Sequence, residues 1–180
     1  MVIETKKEVD EKEKMLELSK ISLSFDPLVI LRQATLSDFE YIKRISHTEM
    51  DKVVPNFWNW ESWFSDIKKY LQGKSHKIFI VEVNKSSGGY LWVNEELNAL
   101  WITAIVLQTK FQRQSIGTKI MRYLIGETQK EGKEFIELGV QRNNKSALIF
   151  YSKLGFVQFD YIKSANTDLF RLEVKKINQN

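Results

Sequence analysis

No cysteine occurs among the 180 residues, so the chain forms no disulfide, offers no thiolate to a metal and holds no cysteine nucleophile. Histidine occurs twice, too rarely for a His-rich metal site, and no metal is expected. Two prolines and eight glycines are too few for a fibrous or low-complexity chain. Nowhere do about eighteen apolar residues run together without a charge, as a membrane span requires. The opening Met-Val-Ile-Glu-Thr-Lys-Lys is not the apolar stretch of a signal peptide. These readings lead to an expected place in the cytoplasm with no membrane partner. Charge is nearly balanced: 27 Lys and Arg against 23 Asp and Glu leave +4. Scattered along the chain, such charges give no nucleic-acid footprint and at most favour acidic small ligands. What is plentiful is apolar matter, 43% hydrophobic and 12% aromatic, enough for the core of one domain in a chain too short for two.

Residues 1–26 read as a charged extension and 27–180 as the folded domain. Lys and Glu dominate up to Lys20, with Met15, Leu16 and Leu18 as the apolar cluster there. Leu28 to Arg32 is short, apolar and β-branched, the signature of a first strand. Ser37 and Glu40 have capping-box spacing, and Phe39, Ile42 and Ile45 form the stripe of a first helix. A second helix is predicted to start near Asn59, with Trp60, Trp63, Phe64, Ile67 and Leu71 on one face and Gly73 as its stop. The period then shortens to two from Lys77 to Val83. Asn84 to Gly89 supplies turn residues, and Tyr90 to Val93 returns as the partner strand. Leu100 to Leu107 is free of charge and reads as a central strand covered on both faces. A loop, Gln108 to Ser115, leads into a helix from Ile116 to about Gly132. Phe135 to Val140 follows as a buried strand, Ser146 to Leu154 as a short helix stopped by Gly155, and Val157 to Tyr161 and Phe170 to Val174 as closing strands. This order gives an α/β fold on a mixed sheet with antiparallel hairpins at both ends.

Leu107 to Met121 is the segment richest in chemistry, because an uncharged strand passes through a basic, polar loop into a helix. A helix N-terminus offers unpaired amides and the positive end of its dipole, the field a pyrophosphate seeks. Gly117 has no Cβ to keep a ligand from that backbone, and Arg113 and Lys119 add positive charge. An ordinary strand-to-helix turn with a solvated basic rim fits the spacing equally well.

Two motifs carry a resemblance. Gln112-x-x-Ser115-x-Gly117 resembles the Q/R-x-x-G-x-G/A loop of the GNAT acyltransferase superfamily, and Asn144-x-x-Ala147-x-x-x-Tyr151-x-x-x-Gly155-Phe156 resembles that family's later coenzyme-A helix. The likeness covers roughly Leu28 to Val174. It implies a mixed, largely antiparallel central sheet flanked by about four helices in three layers. It also implies an N-acetyltransferase that uses acetyl-CoA as cosubstrate and lets a primary amine attack the thioester directly, with no acyl-enzyme. On this likeness Gln112, Arg113, Gln114, Ser115, Ile116, Gly117 and Thr118 form the pyrophosphate loop. The strands Leu100 to Leu107 and Phe135 to Val140 splay to admit the pantetheine arm beside Ile105, Val106 and Leu107. Asn144 either bonds to pantetheine or caps its helix. Tyr151 lies near the sulfur as general acid for the departing thiolate; a phenol with a pKa of about 10 keeps its proton at neutral pH. Packing without catalysis is the other reading of Tyr151. Ser115 departs from the family's glycine and would be strained if the turn needs a positive φ.

The base is harder to assign, because an alkyl amine is neutral in only about one molecule in two thousand at pH 7. Leu100 to Leu107 holds no carboxylate. Glu49, Asp51, Glu95, Glu137 and His47 are the candidates, each equally readable as a solvated surface residue. For the acceptor, a small molecule or a peptide amine, the resemblance points to the stretch between the first two helices. Phe57 and Trp58 fall outside the helical stripe and are expected to line a pocket with Glu49 or Asp51, suited to a cationic amine. Tyr90, Trp92 and Trp101 read as sheet packing. A non-catalytic module of the same fold that binds or senses acyl-CoA is the alternative, and the oligomeric state stays open, a homodimer included.

Overall fold

Alternation of apolar residues along short extended runs builds a single sheet of eight strands. A computed structural model describes residues 20–23, 27–73 and 77–174; Met15, Leu16 and Leu18 lie outside them. In chain order the elements are β1 (Lys20–Ser22), β2 (Val29–Gln33), α1 (Phe39–Met50), α2 (Trp60–Gln72), β3 (Ile78–Val83), β4 (Ser86–Glu95), β5 (Ala99–Leu107), α3 (Ile116–Lys130), β6 (Phe135–Gln141), α4 (Lys145–Lys153), β7 (Val157–Ile162) and β8 (Thr167–Glu173). The sheet order is β1-β2-β3-β4-β5-β6-β8-β7. Every neighbouring pair is antiparallel except β5 and β6, which are parallel. The segment expected to be a charged extension therefore supplies an edge strand, since Lys20 to Ser22 pairs with Ile30 to Arg32.

Helices cover both faces of the sheet, which makes three layers. On one face Ile42 and Ile45 of α1 and Phe64 and Ile67 of α2 pack on Ile78, Ile80, Tyr90 and Trp92. On the other, Ile116, Ile120 and Leu124 of α3 and Tyr151 of α4 pack on Leu31, Val81, Leu91 and Leu138. Full burial of each such aliphatic side chain stabilises the fold by about 1.5–3 kcal/mol. β5 is covered on both sides as its lack of charge predicts. Leu100 and Ile102 face the α3–α4 layer while Ala104 and Val106 face the α1–α2 layer. A bulge makes this possible: Trp92 stands opposite Ala104 but Val93 opposite Ile102, so Thr103 is the extra residue.

Local signals set most element ends. Asn59 accepts a hydrogen bond from the Ser62 amide at 2.9 Å and starts α2, and Gly73 follows its last residue. Three features differ from the sequence reading. Asp38, rather than Glu40, closes the first turn before α1: its carboxylate accepts from the Thr35 amide at 2.8 Å and is held by Arg32, which also grips Glu82 of β3. That long-range anchor decides between two equally spaced motifs. β4 begins at Ser86, because Asn84 and Lys85 alone make the turn, both with positive φ. β7 alternates in sequence but is exposed almost throughout, since it is the outermost strand.

Candidate functional site

The sheet opens where β5 and β6 part. Their pairing runs from Ala99–Phe135 to Ile102–Leu138 and stops there, although β5 continues to Leu107 and β6 to Gln141. The Thr103 bulge lies immediately beyond the last pair and bends β5 away. The Gln108 amide donates to the Gly88 carbonyl at 2.9 Å. Alternation in an antiparallel ladder then directs the peptide groups of Val106 and Ala104 to β4, and those of Ile105 and Leu107 into the gap. Val106, expected beside them, is instead tied to β4.

The loop after β5 is fixed by its own glutamines. Gln112 donates through Nε2 to the Leu107 carbonyl at 2.8 Å, and Gln114 to the Lys110 carbonyl at 2.7 Å. Arg113 and Ser115 both have positive φ, 62° and 60°. With that twist the chain enters α3, whose first captured amide is that of Lys119, bonded to the Ser115 carbonyl at 2.9 Å. Among the described residues no hydrogen bond leads from the amides of residues 113–118. Such a run of unpaired N–H groups beside a helix dipole is an anion cradle. Ile116 is buried in the core, and Arg113 and Ser115 face solvent. A Cβ on Gly117 would sit 3.3 Å from the Phe150 ring of α4, so glycine here serves helix packing as well as an open backbone.

Tyr151 lies on α4 inside the α3–α4 layer, 9% exposed, edge-on to Phe150 at 5.0 Å and Phe156 at 5.5 Å. Burial pushes its phenol well above the usual tyrosine value, which keeps the proton on oxygen throughout the neutral range. Asn144 is the α4 cap: its Oδ1 accepts from the Ala147 amide at 3.1 Å and from the Ser146 hydroxyl at 3.0 Å.

The acceptor-side expectations fare differently. Glu49 is consumed by structure, since its carboxylate takes the Thr109 amide at 2.9 Å, the Thr109 hydroxyl at 2.9 Å and the Lys52 ammonium at 3.1 Å. Burial raises its pKa, but these bonds more than offset that and leave it below the ordinary value. It pins α1 to the loop leaving β5 and is a poor base. Trp58 joins an aromatic group with Trp63 at 5.4 Å and Trp60 at 6.4 Å, so it packs where a pocket wall was expected. Phe57 stands in solvent, 67% exposed. Among the other acids, Asp51 lies 3.5 Å from His47, Glu95 4.0 Å from Lys133, and Glu137 is bonded by Arg171 at 2.6 Å. Sequence reading passed over Gln108, which donates to the Ser87 carbonyl and the Tyr41 hydroxyl at 2.9 and 3.2 Å. It also passed over Asp168, buried in β8 opposite Val140 of β6 and held by Arg142 and Gln158 at 2.8 and 2.9 Å. Each lies many residues from its partners, so no local spacing announces it.

Among the described residues no helix is long and apolar enough to cross a membrane. A family model described as the acetyltransferase (GNAT) family matches residues 37–156. An uncharacterized N-acetyltransferase of Methanocaldococcus jannaschii is 27% identical over 135 residues, 71% of this chain and 59% of that protein. The ribosomal protein bS18 alanine N-acetyltransferase of Escherichia coli is 27% identical over 85 residues, 47% of this chain and 57% of that one. The chain thus spans less than two thirds of the length of these curated relatives. In fold it is similar to the crystal structure of the PaiA N-acetyltransferase of Thermoplasma acidophilum in complex with coenzyme A, with a TM-score of 0.63, 15% identity, and coverage of 81% of this chain and 98% of that one.

Proposed function

The chain belongs to the GNAT family of acetyltransferases, and from that membership we propose that it moves an acetyl group from acetyl-CoA to a primary amine, on a small molecule or a peptide, by direct attack in a ternary complex. One juxtaposition carries the reading: the open edge of β5 at Ile105 and Leu107 runs, within a few residues, into the unpaired amides of residues 113–118. An extended chain with amides at one end and a pyrophosphate at the other fits that sequence of contacts. The Ile105 and Leu107 peptide groups take the pantetheine amides in the manner of a strand, with the Leu107 carbonyl shared with Gln112. The turn from Gln112 to Thr118 holds the phosphates, with Arg113 at its rim. Acetyl-CoA supplies an activated acyl group whose C–S bond breaks as the C–N bond to the amine forms. Tyr151 gives its proton to the departing sulfur, and the proton shed by the amine nitrogen passes through water to restore the phenol. Burial keeps that proton on oxygen at neutral pH, and the alkaline limb it would impose on the rate lies above the ordinary tyrosine value near 10. The Escherichia coli relative, by its name, acts on an alanine of a ribosomal protein, which supports an amine as acceptor.

Release of free thiol from acetyl-CoA across a panel of amines tests the reaction. In the Tyr151→Phe variant kcat should fall by about 100-fold or more, the low end of general acid catalysis, with affinity for coenzyme A kept. Unchanged kcat would leave Tyr151 as a packing residue. A second reading, coenzyme binding without transfer, draws support from the lack of a carboxylate on β5 and the commitment of Glu49 to Thr109. Thermal stabilisation by coenzyme A with no thiol release from any amine would favour it.

A further inference from the structure

We infer that the cavity between α1 and the loop leaving β5 is an anion-binding subsite, and that the amine acceptor of the transfer proposed above carries a carboxylate or phosphate held there. The cavity measures about 470 Å³. Three cations line it, Arg44 from α1, Lys52 from the turn that follows α1 and Lys110 from the loop, against a single carboxylate, Glu49. Read from sequence, Glu49 marks a site for a cationic amine. Its geometry says otherwise: both oxygens are taken by Thr109 and Lys52, so it has little to offer an incoming ammonium. Arg44 and Lys110 have no acidic partner among the described residues; Arg44 lies over the Tyr41 ring at 5.7 Å and Lys110 over Phe111 at 4.8 Å. The balance in the cavity is three positive charges to one negative. Tyr41 accepts from Gln108 at 3.2 Å, which leaves its own O–H to donate. With the Glu49 oxygens already engaged, such a concave wall presents cationic donors and a net positive field, the complement of a carboxylate or phosphate.

Its place in the fold ties it to the acceptor. Gln108, Thr109 and Lys110 directly follow Leu107, the last residue of the open edge. α1 lies on the sheet face opposite α3 and α4. An anion seated here therefore approaches the end of β5 from the face that the proposed phosphate turn and Tyr151 do not occupy. A molecule holding an amine a few bonds from that anion would present the amine at the gap.

The test uses four amines on the full chain: O-phosphoethanolamine and β-alanine, which carry an anion, and butylamine and putrescine, which do not. The phosphorus resonance of O-phosphoethanolamine should shift on adding the protein, and the shift should vanish in the Arg44→Gln, Lys110→Gln double variant, with no turnover needed for the reading. In acetylation the two anionic amines should have the lower KM. The double variant should raise their KM about tenfold, leave that of butylamine within twofold, and leave coenzyme A affinity unchanged. Added salt should mimic the variant in the native protein. The proposal is overturned if no phosphorus shift occurs, if putrescine or butylamine is preferred, or if the double variant weakens coenzyme A instead, which would give the cations to the cosubstrate. A phosphorus shift without acetylation of any amine would keep the subsite and sink the transfer reading; acetylation without the shift would do the reverse.

Discussion

Ser115 holds a backbone shape that disfavours a side chain. Its φ of 60° and ψ of 7° lie in the left-handed region, which costs an L-residue roughly 1–2 kcal/mol. Glycine escapes that cost but adds about 0.4–1 kcal/mol of freedom to the unfolded chain. Ser115→Gly should thus stabilise the protein by no more than about 1.6 kcal/mol, a rise in Tm of up to about 6 °C in a chain of this size. Ser115→Val, β-branched and unable to take this φ without strain, should lose more than about 1 kcal/mol in urea unfolding. It should also weaken coenzyme A in calorimetry, because the amides after residue 113 no longer converge. Equal affinity for the Gly and Val forms would remove this turn from coenzyme binding. Ser115 therefore holds, at an energetic cost, a turn shape that glycine would take freely.

Among the elements, the contrast of two glycines tests how closely β4 and β5 approach. A Cβ on Gly89 would stand 2.0 Å from the Val106 carbonyl oxygen and 3.0 Å from Leu107 Cα, both backbone, which cannot yield without opening the ladder at the edge of the site. Gly89→Ala should cost more than about 3 kcal/mol or prevent folding, as the larger core and strain lesions do. Gly126 lies within α3 with nothing within 4 Å of an added Cβ, so Gly126→Ala should stabilise by about 0.5–1 kcal/mol. Thermal unfolding followed by circular dichroism separates the two, and a mild Gly89→Ala would mean that the strands are not so close. These glycines also mark the limit of what a sequence tells. Asn59, Gly73, Asn144 and Gly155 were legible as helix ends because a cap is satisfied within a few residues. The start of β4 was misread because Gly88 and Gly89 look like turn residues until the β5 backbone is known to lie against them. Glu49 was misread for the same reason, its partner Thr109 being 60 positions away. The loop proposed for the coenzyme was legible as a strand, turn and helix that follow one another directly; the surroundings of Glu49 were not, because α1 and the β5 exit meet only in the fold.

For the molecule as a whole, two buried phenols should steepen the loss of stability at alkaline pH. Tyr90 is fully buried on the α1–α2 face, its hydroxyl 2.9 Å from that of Ser46. Burial, only partly offset by that bond, pushes its pKa up to about 12. Tyr151 on the opposite face is raised as well, by burial. A raised folded-state pKa means that the unfolded chain loses these protons first. Their contribution is fully present below the unfolded value near 10 and is lost as pH climbs toward the folded values. For Tyr90 a rise from 10.0 to about 12 corresponds to about 3 kcal/mol, and Tyr151 adds a loss of the same sign. Urea unfolding from pH 7 to 12 should therefore show no dependence on these groups up to about pH 9.5 and a steepening decline above 10. Tyr90→Phe loses the bond to Ser46 and should be less stable at pH 7, yet its decline above pH 10 should be shallower, and shallower still with Tyr151→Phe added. Because the two rings sit in separate clusters on opposite faces, their effects on the slope should add. An alkaline slope that neither substitution reduces would mean that the phenols are not shut away from water, and with that the keeping of the Tyr151 proton by burial would lose its basis.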